Sequence, residues 1–342
     1  MINNLEIKII SISDARKLLL NESLDLFQEL FWWQIVEQGF KKQCKVALII
    51  DNNENKALLP LFFHRLGPIL RIGSTLRGTF TPYIGFVWLT NNINDYQQTI
   101  YSKKIVESLI ELGANWIELS FNSNNKKLYE DLRDLGFLFK ASNTILLNTE
   151  QEEDILWMGM QGRSRNLVRK AEKFGLQIKF LNSDIENIEL FYSLLEDTFN
   201  KSGQKPPHSK IFYKLLIEKL IASNNLLFLS VVKDLTVVAM GIFLYNSKEI
   251  HFISGTSTVI GNKFGANNFM HWEVIKFASS NDIKNYDFGG LGISSIDKFK
   301  KSFGGVQGSY LNYIWMTPKV QFLFNLLTWL KSKSTFFNFF KI

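Results

Sequence analysis

Lys284-Asn285-Tyr286-Asp287-Phe288-Gly289-Gly290 is the stretch on which the reading of the fold turns. It reads as a short aromatic strand ending in paired glycines, where a ligand or another backbone segment can approach closely. Upstream of it, residues 268–280 show helical periodicity. Strand-like runs come earlier still, at 226–233, 236–246 and 249–256, with the first two turning at Asp234-Leu235. The same order of elements occurs nearer the amino terminus. Strand runs at 46–50, 57–64 and 70–74 precede a helical stretch at 96–112, and then comes Asn115-Trp116-Ile117-Glu118-Leu119 within the strand 116–121. Only the pattern repeats, since identity between the copies is negligible. Strands that arrive in adjacent runs with short turns predict a mixed, largely antiparallel sheet rather than a parallel Rossmann sheet. The expectation is an α/β (α+β) chain of two related halves, 1–150 and 151–316, joined near the acidic segment 148–154. An aromatic and basic tail, 317–342, follows.

The chain has 342 residues, of which 46% are hydrophobic and 14% aromatic, so it is long and apolar enough to bury a large core. Those figures exclude a disordered, collagen-like or disulfide-framed protein. A single cysteine, Cys44, cannot form an intrachain disulfide and suits a reducing compartment. His64, His208, His251 and His271 are scattered without ligand spacing, which argues against a zinc site. The formal net charge of +7 favours phosphate, nucleic acid or an anionic membrane surface as a partner. Neither a signal-peptide pattern nor an apolar run of about 18 residues is present, and the expected location is cytoplasmic. Helical periodicity also marks 13–20, 23–38, 129–135, 188–200 and 209–223. The tail carries Phe322, Leu323, Phe324, Leu326, Leu327, Trp329 and Leu330. Lys331, Lys333 and Lys341 are mixed with Phe336, Phe337, Phe339 and Phe340. It predicts either a helix packed on the core or one lying at the inner face of an anionic membrane.

Two segments carry chemistry. In 162–173 a helix places Arg165, Arg169 and Lys173 four residues apart, a row that can grip phosphate or form a solvated basic face. The second runs from Asp287-Phe288-Gly289-Gly290 through Phe299-Lys300 to Phe303-Gly304-Gly305. Lysine beside a reacting carbonyl can stabilise developing negative charge, although a Lys-rich helix start is the plain alternative. The loop Thr79-Phe80-Thr81-Pro82-Tyr83 offers an acceptor groove or a packed aromatic turn.

Taken together, Arg165-Asn166, Arg169-Lys170-Ala171, Tyr286 to Gly290, and Phe299-Lys300 with Phe303-Gly304 make the chain resemble the FemABX-like transferases over roughly residues 25 to 315. The resemblance implies two tandem GNAT-like domains, each a mixed, largely antiparallel sheet flanked by helices. It implies an N-acyltransferase with aminoacyl-tRNA or acyl-CoA as donor co-substrate and no permanently bound cofactor. The acceptor would be an amine of a peptidoglycan or surface-polysaccharide precursor. Substrate-binding roles would fall to Arg165, Asn166, Arg169, Lys170, Tyr286, Gly289, Gly290 and Phe299. Lys300 would sit beside the reacting ester. Asp287 reads as a proton acceptor or as a strand-end residue bonding the glycine turn. Two departures stand out: Trp33-Gln34-Ile35-Val36 is followed by Glu37 where peptidoglycan enzymes tend to carry lysine, and Asn262-Lys263-Phe264-Gly265-Ala266-Asn267 only partly matches an acyl-CoA pyrophosphate loop. A non-catalytic module that binds tRNA or a lipid-linked sugar precursor is the competing class.

Overall fold

The computed structural model describes residues 4–333 apart from 21, 23, 92, 122–125 and 202. The tail residues Phe336, Phe337, Phe339, Phe340 and Lys341 lie outside the described residues. In chain order the first elements are β1 (Leu5–Ile10), α1 (Ile12–Leu18), a 3-10 turn (Leu26–Gln28), α2 (Leu30–Gly39), β2 (Gln43–Asp51), β3 (Glu54–Leu66), β4 (Ile69–Gly73) and β5 (Val87–Trp88). Then come α3 (Asp95–Glu111), β6 (Trp116–Phe121), α4 (Lys126–Asp134), β7 (Leu138–Asn148), α5 (Glu153–Gly159), α6 (Gly162–Lys173) and β8 (Gln177–Phe180). The remainder is α7 (Ile185–Asn200), α8 (Lys210–Ala222), β9 (Leu226–Lys233), β10 (Thr236–Tyr245), β11 (Glu249–Ser257) and α9 (Val259–Phe264). It closes with α10 (Ala266–Ser280), β12 (Asn285–Gly290), α11 (Ser294–Lys301), β13 (Val306–Met316) and α12 (Pro318–Lys333).

Local chemistry accounts for most of these bounds. The β2–β3 hairpin turns on Asn52-Asn53 with φ of 52° and 64°, and β9–β10 on Asp234-Leu235 with φ of 47° and 65°. Two successive left-handed residues match the twist of a two-residue hairpin, and asparagine and aspartate tolerate that region. Helix α3 opens on a capping box in which Asn94 and Gln97 exchange side-chain and backbone hydrogen bonds. The single helix expected at 23–38 is two pieces instead. A box between Asp25 and Gln28 closes the 3-10 turn, and Glu29 is extended at φ −66° and ψ 139°, so α2 starts afresh at Leu30.

The chain forms two compact units, residues 1–142 with 309–342, and residues 143–308. The sequence reading divides it instead at 150/151 and 316/317. The difference arises because β7 from Thr144 pairs with β12, while β13 from Leu311 pairs with β6. In the first unit the sheet order is β1-β2-β3-β4-β6-β13, with β5 against β3. Every pairing is antiparallel except β4 with β6, which helix α3 joins as a crossover. Ile49, Leu59, Leu61, Ile72, Ile117 and Leu119 cover one face and meet Tyr101, Ile105 and Leu109 of α3 and Leu128 and Leu132 of α4.

The second unit repeats this plan in the order β7-β12-β11-β10-β9-β8, with β11 and β12 as its parallel pair and α10 as the crossover. Alternation along β9 sends Leu227, Leu229 and Val231 into a core shared with α6 and α10. Phe228, between them, faces Phe191 of α7 at 5.8 Å. Both units therefore carry the mixed, largely antiparallel sheet flanked by helices that the sequence pattern predicts.

A buried ion pair locks the parallel strands of the first unit. Arg71 of β4 gives Glu118 of β6 two hydrogen bonds of 2.7 and 2.8 Å, and the backbone N–H of Arg77 gives a third of 2.9 Å. The guanidinium also lies 4.8 Å from the Trp116 ring. Both side chains are 5% exposed, so deleting one leaves a buried charge without its partner. Glu118→Ala is expected to lower unfolding stability by about 3–5 kcal/mol. A urea titration reads this directly, and a loss under about 1 kcal/mol would show that the pair does not hold these strands.

Candidate active site

The second unit brings together six of the ten residues singled out from the sequence. Parallel pairing between β11 and β12 runs over Glu249–Asn285, Ile250–Tyr286 and His251–Asp287. Both strands continue past the last pair, β11 to Ser257 and β12 to Gly290. At this point Asp287, 2% exposed, accepts hydrogen bonds from the Thr144 hydroxyl and, at 2.7 Å, from the Gly289 N–H. His251 Nδ1 stands 3.4 Å from its other oxygen. The contact with the Gly289 N–H draws that residue into a left-handed conformation, φ 75°, which suits glycine. Gly289 and Gly290 then aim successive carbonyls at one cation. Lys300 of α11, 7% exposed, donates to Gly289 O at 3.0 Å and to Gly290 O at 2.7 Å.

Lys300 also lines a cavity of about 270 Å³, with Phe252, Asn267, Met270, His271 and Phe299 among the other lining residues. A Cβ at Gly289 would lie 3.7 Å from Lys300 Nζ and 3.8 Å from His251 Nε2, so both groups converge on that residue. Burial lowers the pKa of Lys300, while the charges of Asp287 and Asp297 pull it back part of the way. Burial pushes Asp287 up, but the charge and hydrogen bond of His251, with Thr144 and the Gly289 N–H, outweigh it and leave the carboxyl below its usual value. His271 is pushed down to about 3 by burial and by Lys300, so it is neutral. Its Nδ1 lies 2.5 Å from the Tyr286 hydroxyl, whose own pKa is raised by burial and by Asp287.

The remaining four predicted residues lie on α6 and do not line this cavity. Arg165 donates 2.9 Å hydrogen bonds to the carbonyls of Met158 and Met160, closing the end of α5. Arg169 lies 5.2 Å from the Trp157 ring and donates to Asn166 Oδ1, and Lys170 lies 5.8 Å from the Phe264 ring. Asn166 and Arg169 are exposed. What joins α6 to the site is Ser164, which sequence reasoning passed over. Asn268 Nδ2 donates to Ser164 Oγ, Ser164 Oγ to Ser302 Oγ, and Ser302 Oγ to the Phe299 carbonyl, at 3.2, 2.7 and 2.6 Å. Ser302 O also accepts the Gln161 N–H at 2.8 Å. Gly304 completes the joint, because its φ is 90° and a Cβ there would lie 2.6 Å from Gly159 O.

Thr144, His251 and His271 were likewise missed as site residues. The only signal for His251 was its place in a predicted strand of the same half as Asp287. Outside the second unit, Glu37 accepts the Cys44 N–H at 2.9 Å and so joins the end of α2 to β2. Tyr83 packs 5.9 Å from Phe27 and 5.6 Å from Tyr310, a packed aromatic turn. It also lines a second cavity of about 270 Å³ with Asp25 and Gln28. Among the described residues no group of three His, Cys, Asp or Glu side chains is placed to hold a metal ion.

Residues 160–301 match the acetyltransferase (GNAT) domain family. The fold of the whole chain is that of tandem GNAT proteins. The structure of FemX is similar over 94% of this chain and 99% of its own length, with a TM-score of 0.73 at 14% identity. L-PGS from Bacillus licheniformis is similar over 92% of this chain and 96% of its own, with a TM-score of 0.55 at 12% identity. A tandem GNAT protein from the clavulanic acid biosynthesis pathway covers 92% of this chain and 98% of its own, with a TM-score of 0.57 at 6% identity. The FemABX resemblance read from the sequence thus holds for the fold. Comparison with curated proteins by sequence finds no match.

The buried imidazole gives a signed test of the site's packing. His271 titrates near 6.5 when unfolded and near 3 when folded, so between these values the unfolded chain binds the extra proton. Stability therefore rises with pH across that window. His271→Gln, which keeps an acceptor for Tyr286, is expected to flatten the slope by up to about 1.4 kcal/mol per pH unit. Urea midpoints measured from pH 4 to 7 read it, and parallel curves for the two proteins would contradict the placement of His271.

Proposed function

We propose that the chain is an N-acyltransferase whose reaction takes place in the second unit, with acyl-CoA as donor and an amine of a cell-envelope precursor as acceptor. One observation carries the reading: a buried ammonium at the edge of the cavity spends two of its three donors on the Gly289 and Gly290 carbonyls. Its third donor is available to a carbonyl oxygen brought in by the donor. The matched acetyltransferase domain contains this whole arrangement except Thr144.

In the proposed reaction the amine nitrogen attacks the thioester carbon, forming the C–N bond. Negative charge gathers on the carbonyl oxygen against Lys300. Collapse breaks the C–S bond and expels the thiolate, which takes up the proton lost by the amine. Asp287 has its carboxylate committed to Thr144, Gly289 and His251, so its part in the reaction is to hold the glycine turn whose carbonyls orient Lys300. Tyr286, Gly289, Gly290 and Phe299 shape the donor side of the site. We assign Arg165, Asn166, Arg169 and Lys170 to binding through α6, with the exposed Asn166 and Arg169 as its accessible part.

Aminoacyl-tRNA is the second reading for the donor. The exposed Arg169 on α6 and the net charge of +7 favour it. The acceptor remains peptidoglycan or surface polysaccharide, and a cytoplasmic location belongs to the same proposal. Acetyl-CoA titrated calorimetrically at moderate salt is expected to bind one to one, and amino-sugar acceptors should then release free CoA thiol. Lys300→Ala is expected to slow that release about 10²–10³-fold. Turnover unchanged in a folded Lys300→Ala protein would remove the role of Lys300. Absence of acetyl-CoA binding would transfer the donor to aminoacyl-tRNA. Binding of either donor without product from any amine would favour a non-catalytic module.

A further inference from the structure

Two glycines stand directly opposite each other in the second unit, Gly241 of β10 and Gly255 of β11. Glycine weakens a strand interior and marks a place where another group comes close. Here the groups belong to the cavity beside Lys300. A Cβ on Gly241 would lie 2.8 Å from both Sδ and Cε of Met270, and one on Gly255 would lie 3.1 Å from the Phe252 ring. Met270 and Phe252 both line that cavity. The absent side chains therefore let Met270 and Phe252 lie back against the sheet, and the space in front of them stays open.

The walls determine what this space takes. Phe252, Met270, Ile296 and Phe299 make most of it apolar. Among the described lining residues the only charge is the Lys300 ammonium, since His271 is neutral and none is an aspartate or glutamate. The nearby carboxylates are engaged elsewhere: Asp287 with Thr144, Gly289 and His251, and Asp297 with the N–H groups of Gly292 and Ile293. An ammonium on the acyl group would meet a like charge here, with no carboxylate to compensate it. The volume of about 270 Å³ also exceeds the ~150 Å³ that admits benzene, so an acetyl group leaves room beyond its methyl.

We infer that the donor is a coenzyme A thioester of an uncharged acyl chain longer than acetyl. Its carbonyl meets Lys300, and its tail lies over Gly241 and Gly255 against Met270. This rests on the acyl-CoA reading above and specifies its substrate class. In the transfer the acyl carbon exchanges its bond to sulfur for one to the amine nitrogen, and the proton lost by the amine leaves on the CoA thiol.

Calorimetric titration of the full-length protein with acetyl-CoA, butyryl-CoA and β-alanyl-CoA tests this without any acceptor. Butyryl and β-alanyl groups have nearly the same shape, one ending in a methyl and the other in an ammonium. Butyryl-CoA is expected to bind about tenfold more tightly than acetyl-CoA, as two further buried methylenes imply. It should also bind at least about tenfold more tightly than β-alanyl-CoA. Gly241→Ala pushes Met270 into the cavity, so the preference for butyryl over acetyl should fall to about twofold or less. Gly241→Ala/Met270→Ala removes the displaced side chain and should restore the preference. Equal affinity for acetyl-CoA and butyryl-CoA, or β-alanyl-CoA bound as tightly as butyryl-CoA, would overturn the inference and leave the acyl-CoA reading standing. A folded Gly241→Ala protein with the wild-type preference would do the same. Failure of all three thioesters to bind the wild type would instead remove the acyl-CoA reading, and this inference with it.

Discussion

A buried lysine held by two consecutive backbone carbonyls is the constraint around which the second unit is arranged. An ammonium ion is costly to remove from water, and only strong acceptors with well-placed counter-charges make the site tolerable. Lys300 finds those acceptors in Gly289 O and Gly290 O, with the Asp287 and Asp297 carboxylates near enough to raise its affinity for the proton. Turning both carbonyls to one cation requires the end of β12 to leave regular strand geometry. The left-handed Gly289, fixed by the bond from its N–H to Asp287, supplies the turn. Asp287 is in turn fixed by Thr144, more than a hundred residues earlier in the chain.

The helix that carries Lys300 is positioned by a different set of contacts. Ser302, at the end of α11, is tied to α6 through Ser164 and the Gln161 N–H, and through Ser164 to Asn268 of α10. Each hydroxyl in this chain donates once and accepts once, which leaves no buried polar group unpaired among the three. Gly304 lets the segment after α11 lie directly on Gly159. The motif around α6 therefore does part of its work from its buried side. Arg163, Arg169 and Lys173 face outward, while Ser164 orients the lysine helix.

Much of this was legible in the sequence, and the reasons for the rest are specific. Apolar runs at strand length with polar turns marked β2, β3, β9 and β10, and the order strand, strand, strand, helix, strand in each half predicted a mixed, largely antiparallel sheet. Tyr286 to Gly290 and Phe299-Lys300 were found together because glycine pairs and lysines leave a local trace. Strands β7 and β13 were not read as strands: β7, whose burial is irregular, pairs with β12, far along the chain, and β13 is only partly buried. His251 could not be tied to Asp287, since their pairing exists only in the parallel register. Ser164 and Ser302 are small and common, and nothing in composition separates a buried serine relay from a solvated one.

The central claim is that the acyl carbonyl of the donor meets Lys300 in the cavity of the second unit. A crystal structure with a non-hydrolysable acetyl-CoA analogue examines it most directly. The account predicts the carbonyl oxygen at about 2.7–3.2 Å from Lys300 Nζ, with Gly289 O and Gly290 O still in contact with the same ammonium. An analogue bound with its carbonyl beyond reach of Lys300, or lodged outside this cavity, would contradict the account.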